Sequence, residues 1–120
     1  MTRTRRSARD AGTRFETSIA TCLATHIHPD IERRRPNGAN DRGDITGLRA
    51  MGGRVVVEVK DYGGRFLVGP WLAEVETERG NDDALAGVVV AKRRGVTDPL
   101  DQVAFLTVRD LVALVTGDRP

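Results

Sequence analysis

Cysteine, histidine, lysine and aromatic residues are all scarce in this 120-residue chain, and each scarcity removes a class of function. The one cysteine, Cys22, cannot close an internal disulfide; on the apolar stripe of an expected helix it reads as a reduced core residue rather than a nucleophile. His26 and His28 stand at the end of that helix with no further histidine to complete a tetrahedral set, which argues against a zinc centre. Five aromatics (Phe15, Tyr62, Phe66, Trp71 and Phe105) are too few for the base-stacking platforms of single-strand-binding proteins. No apolar run approaches the roughly 20 residues that span a bilayer, and the arginine-rich N-terminus is not followed by an apolar signal segment. The expectation is an intracellular, single-domain chain over residues 1–120 that makes no membrane contact, with 1–7 as a flexible basic arm.

What the chain has in quantity is arginine. Its positive charge is written as 17 Arg and 2 Lys against 17 acids, for a net charge of +2. The distribution is uneven: Arg3, Arg5, Arg6 and Arg9 crowd the N-terminus, Arg33, Arg34 and Arg35 form a second run, and Lys92, Arg93 and Arg94 a third. Each cluster alone suits a solvated surface equally well, but three together point towards the phosphates of a nucleic acid.

One of the two lysines stands in Val55-Val56-Val57-Glu58-Val59-Lys60. In a strand, side chains alternate between faces, so Val55, Val57 and Val59 share one face while Val56, Glu58 and Lys60 share the other. A carboxylate and an ammonium on a mostly buried strand cost several kcal/mol to desolvate and call for a compensating use. With six Glu and two Lys, a Glu-x-Lys tripeptide arises by chance about 0.1 times in such a chain. Shortly before the strand lies Gly43-Asp44-Ile45. Asp44 and Glu58 can supply the hard oxygen ligands that Mg²⁺ requires, and Lys60 can sit against an attacking water or a scissile phosphate. A structural Glu–Lys pair on a sheet is the competing reading. Asp41 competes with Asp44 for the role of first acid; its polar-turn setting suits a cap, whereas Asp44 directly precedes the apolar Ile45, which favours Asp44.

Around this motif the pattern predicts a helix from Ala8 to His26, capped by Ser7-Ala8-Arg9-Asp10, with Phe15, Ile19, Cys22, Leu23 and Ile27 at helical spacing. Glu16 falls at the edge of that buried face, and Gly12 suggests close approach by a neighbour or a ligand. A weak strand at Ile31–Arg35 and a turn over Pro36–Asn40 precede a hairpin of Asp44–Arg49 with Arg54–Asp61 around Ala50-Met51-Gly52-Gly53. Gly69-Pro70 opens a helix through Arg79 with Trp71, Leu72 and Val75 inward; Glu74, Glu76 and Glu78 read as mostly solvated, with room for one to face a cleft. Strands at Ala86–Ala91 and Val103–Leu106 and a helix capped by Thr107 and stopped at Gly117 complete the chain.

The order α-β-β-β-α-β plus a C-terminal strand and helix gives an α/β fold with a mixed central sheet flanked by helices. With Gly12-x-x-Phe15-Glu16, Gly43-Asp44-Ile45, Val57-Glu58-Val59-Lys60 and Val88-Val89-Val90-Ala91-Lys92, it resembles the restriction-endonuclease-like PD-(D/E)xK nucleases over most of its length. Within them it is most similar to the small Holliday junction resolvases of archaeal and phage type. Gly43 stands where the nominal proline of that motif would be. The resemblance implies that Asp44, Glu58 and the Val59 carbonyl bind Mg²⁺ or Mn²⁺, that Lys60 orients water, and that Glu16 reaches the site from the first helix. It also implies a cytoplasmic protein of a bacterial or phage-infected cell. Once the core is assigned, little chain remains to read bases in the major groove, so the shape of branched DNA is the expected target. Paired cuts across a four-way junction require two sites and hence a two-fold homodimer. A general structure- or single-strand-specific nuclease and a noncatalytic DNA-binding module on the same fold are the alternatives.

Overall fold

The computed structural model describes residues 3–35 and 40–120; positions 36–39 of the expected turn lie outside them. Helix α1 (Arg5–His26) starts earlier than the Ser7–Asp10 signal suggests, because Thr4 is its cap. The Thr4 side chain accepts the Ser7 N–H at 3.0 Å while the Ser7 hydroxyl accepts the Thr4 N–H at 2.9 Å. This reciprocal box satisfies two end donors and draws Arg5 and Arg6 into the first turn, so the expected arm is helical from Arg5 onward. Ala11, Phe15, Ile19 and Ala20 form the buried stripe; Ile27, expected to extend it, is the C-terminal cap and is 56% exposed.

Strands β1 (Glu32–Arg33), β2 (Ile45–Thr46), β3 (Arg49–Ala50), β4 (Gly53–Lys60), β5 (Ala86–Ala91) and β6 (Val103–Phe105) form a mixed open sheet in the order β1-β2-β4-β5-β6, with β3 also on β4. The expected strand at 44–49 is thus split into β2 and β3, both antiparallel to β4. Met51 and Gly52 both take positive φ, 51° and 80°, in a two-residue turn closed by Ala50 and Gly53. That geometry matches the twist of a tight hairpin.

β4 and β5 run parallel from Val55 opposite Ala86 to Lys60 opposite Ala91, so a crossover must join them. Helix α2 (Val68–Asp82) makes it. Helix α3 (Val108–Thr116), capped by Thr107 and Gly117, ends the fold. The two sheet faces carry separate cores. Val57 and Val59 pack with Phe15, Ile19 and Ile45 on the α1 side. Val56 packs with Trp71, Val75 and Val89 on the α2 side. Among the described residues no helix is long and apolar enough to cross a membrane.

Candidate functional site

The alternation of β4 decides the site. With Val57 and Val59 facing α1, Glu58 and Lys60 stand on the face crossed by α2. Glu58 is 3% exposed, and its Oε2 has no hydrogen-bond partner among the described residues. Lys60 reaches across to α2, its ammonium 3.0 and 2.9 Å from the two carboxylate oxygens of Glu74.

Asp44 is built onto the opposite edge of β4. Its N–H donates to the Val57 carbonyl at 2.8 Å, and its Oδ2 accepts the Val59 N–H at 2.8 Å. Within a strand a residue's N–H and C=O share one edge, which puts the Val59 carbonyl on the Asp44 side. Gly43 makes this approach possible: its φ is +94°, and a Cβ there would stand 2.7 Å from Val56 Cγ1 and 3.0 Å from the Val57 carbonyl oxygen. Proline, held near φ −65°, cannot take this conformation. The missing proline of the motif is therefore a requirement of the local backbone.

Glu16, half-buried on α1, is held by the Arg33 guanidinium at 2.8 Å. Glu16, Asp44, Glu58, Val59 and Lys60 line one cavity of about 580 Å³. Gly12 lines it too; outside its own stretch of helix, nothing among the described residues lies within 4 Å of the place a Cβ would take, so the close neighbour expected there is not found among them. Burial raises the Asp44 pKa, with Asp41 adding to the rise and the Val59 N–H, Lys60 and Arg33 opposing it. Glu16 is raised as well, by burial first and the Asp44 charge in addition, against the Arg33 hydrogen bond.

The sequence reading ranked Asp41 behind Asp44 and left room for one of Glu74, Glu76 and Glu78 to face a cleft, but did not join them to Glu58. Asp41, Glu58, Glu74 and Glu78 each bring a carboxylate oxygen within 4.8 Å of the others. Glu78 is 2% exposed, and neither of its oxygens meets an N–H or O–H donor among the described residues. Burial, then the charges of Asp41 and Asp44, and a hydrogen bond in which the protonated Glu78 carboxyl donates to Asp41, push its pKa from 4.5 to about 9. The signal was available: Trp71, Val75 and Glu78 lie at i, i+4 and i+7, so Glu78 completes the buried stripe of α2. Asp41 is held in place by the Gly43 N–H on its Oδ1 and by the Asn81 side-chain amide on its carbonyl, both at 2.8 Å.

The arginines divide by location. Arg9, Arg33, Arg34 and Arg35 line a second cavity of about 530 Å³, which shares Gly12, Glu16 and Asp44 with the first. Arg3 and Arg94 line the acidic cavity itself. Arg5 and Arg6 are exposed on α1 and line neither. Lys92 and Arg93 direct donors into their own loop, Lys92 to the Arg93 and Val96 carbonyls and Arg93 to the Asp101 carbonyl at 3.1 Å. A carboxylate-lined cleft thus shares Gly12, Glu16 and Asp44 with an arginine-lined one, a juxtaposition suited to holding cations near a polyanion. Comparison of the chain with protein-family models, curated proteins and solved structures gave no match.

Proposed function

We propose that this chain is a Mg²⁺- or Mn²⁺-dependent endodeoxyribonuclease with a restriction-endonuclease-like core, cutting branched DNA and acting as a Holliday junction resolvase. The observation that carries the proposal is the convergence of Glu16, Asp44, Glu58 and Lys60 on one cavity that shares Gly12, Glu16 and Asp44 with the Arg9–Arg33–Arg34–Arg35 groove. These residues come from α1, the loop before β2, and β4.

The donor set fits a hard divalent cation: the ligands are oxygens, and Glu58 Oε2 is buried without a partner. Asp44, Glu58 and the Val59 carbonyl would hold the ion. When bound, it supplies a lowered pKa for coordinated water and charge stabilisation at the phosphate. The chain's own groups do the rest. Lys60 places a compact positive charge where charge develops on the phosphate, and its ammonium can orient the attacking water. Glu16, steadied by Arg33, offers an acceptor on the α1 side of the cavity. The groove arginines seat the backbone by charge and shape, without reading bases.

Paired nicks across a junction require two copies. Val108, Leu111, Val112 and Val115 form an exposed apolar stripe along α3, at the i, i+3, i+4 and i+7 spacing of one helix face, which a second copy would cover. Sedimentation should give a dimer, and Leu111→Glu a monomer. The decisive experiment incubates purified protein with labelled four-way junction, duplex and single strand, with Mg²⁺ or EDTA. Paired cuts near the branch, absent in EDTA and lost in Asp44→Asn, Glu58→Gln and Lys60→Ala while binding persists, are expected. Cutting that survives in EDTA or in all three variants would refute the proposal, and equal cutting of single strand would favour a less selective nuclease.

A further inference from the structure

Nothing in the packing of α2 asks for an acid at position 78. The residues one and two turns earlier on the same buried stripe are Val75 and Trp71, and both sit in the apolar core on that face. Glu78 is nonetheless an acid, 2% exposed, whose oxygens meet no N–H or O–H donor among the described residues; its hydrogen-bonding neighbour is another acid, Asp41, and it brings an oxygen within 4.8 Å of carboxylate oxygens from Asp41, Glu58 and Glu74. A buried acid without a partner is strongly destabilising unless something compensates it. Here the neighbours are themselves acids: the cluster gathers four carboxyl groups, and the cation in contact with it among the described residues, Lys60, is engaged with Glu74.

Asp41 is equally specific. Its carboxylate is fixed by the Gly43 N–H and its backbone by Asn81 of α2, so the loop is tied to the helix at the point where the charges meet. Asp44 is not part of this four-acid cluster; one of its oxygens is occupied by the Val59 N–H. Two acid sets therefore meet at Glu58, one on the Asp44 edge of β4 and one beneath α2.

We infer that Asp41, Glu58 and Glu78, with Glu74 at the rim, form a binding site for a hard divalent cation on the α2 side of Glu58. The orphaned Oε2 of Glu58 and the buried oxygens of Glu78 supply ligands, and Asp41 supplies one from the loop. Oxygen-only donors of this kind suit Mg²⁺, Mn²⁺ or Ca²⁺ and disfavour softer metals. The inference deepens the nuclease reading, because it shares Glu58 with that site, but it can be tested without DNA.

The test titrates Mn²⁺ alone into the full chain by calorimetry, using wild type, Glu78→Gln, Asp41→Asn and Asp44→Asn, and follows melting of each in EDTA. Glu78→Gln and Asp41→Asn should each weaken Mn²⁺ binding by roughly tenfold or more, a loss typical of disturbed metal sites. Neither should melt lower than wild type in EDTA. Glu78→Leu, apolar like its stripe neighbours, should fold, melt higher in EDTA and bind Mn²⁺ no better than Glu78→Gln. Wild-type Mn²⁺ affinity in both Glu78→Gln and Asp41→Asn would overturn the inference, and would leave the nuclease reading standing if Asp44-dependent cutting persists. Loss of Mn²⁺ binding in those variants, beside a wild type that cuts no DNA, would uphold the site and remove the nuclease reading. Marked destabilisation of both Glu78→Gln and Glu78→Leu in EDTA would make Glu78 a structural acid and overturn the inference.

Discussion

Lys60 on β4 holds both carboxylate oxygens of Glu74 on α2, at 3.0 and 2.9 Å, so the lysine of the Glu-x-Lys motif spans the gap between strand and helix. Glu74 is 43% exposed, and a pair so open to solvent adds about 1 kcal/mol or less to stability. Lys60→Ala should therefore shift the melting temperature by no more than a few degrees while lowering cleavage about a hundredfold or more. Paired melting curves and single-turnover rates check this; a large loss of stability with proportionate loss of rate would make the pair structural.

Gly43 is the next test. Gly43→Pro should be the more damaging of two substitutions there, because it forbids the φ of +94° and removes the N–H that fixes Asp41. Gly43→Ala keeps the N–H but places a methyl against Val56 and the β4 backbone, costing about 1–3 kcal/mol. Proline at this position should thus abolish the site. Thermal melting and Mn²⁺ affinity of the two variants measure it.

The carboxyl of Glu78 sets a pH dependence with a definite sign. Its pKa is about 9 in the folded chain against an ordinary value of 4.5, so between those limits the folded state binds the extra proton. Its contribution to stability is complete below pH 4.5 and is lost as pH rises through about 9. The raised pKa values of Glu16 and Asp44 act in the same direction. Wild type in EDTA should melt lower at about pH 8.5 than at about pH 5.5, and Glu78→Gln should show a shallower decline. Parallel pH profiles for the two proteins would remove Glu78 as the source.

DNA affinity should depend on where an arginine lies and not merely on its charge. Arg34→Ala and Arg35→Ala, in the groove, should each reduce the slope of log K against log salt by roughly 0.9 or less. Arg93→Ala, whose guanidinium is turned to the Asp101 carbonyl, should leave that slope nearly unchanged. Fluorescence anisotropy across a salt series distinguishes the two groups, and equal effects would argue against the groove as the DNA path.

Much of this architecture is legible in the sequence where local physics decides. The Val55–Lys60 alternation places Glu58 and Lys60 on one face, Ala86–Ala91 is a strand with the expected bounds, and Thr107 and Gly117 delimit α3. The misreadings occur where tertiary contact decides. Thr4 competed with Ser7 for the first cap and won by reciprocal bonding. Glu78 was grouped with Glu74 and Glu76 as mostly solvated, with room for one of the three to face a cleft, because residue type outweighed its position on the Trp71–Val75 stripe. Asp41 was ranked behind Asp44 as the first acid and given a turn setting, since the Asn81 tether joins positions 40 apart and leaves no mark in local pattern.

The parallel pairing of β4 with β5 has a consequence for how this chain can be improved or damaged. The acids are brought together because α2 must cross the sheet and because Trp71 and Val75 bury against Val56 and Val89. Apolar burial thus supplies the force that holds the crowded acids in place. A substitution that loosens Trp71 would relax the crowding as it dissolves the site, whereas replacing the acids would strengthen the fold and empty it of chemistry. On the proposed function, selection for robustness and selection for cation binding would pull in opposite directions on the same helix.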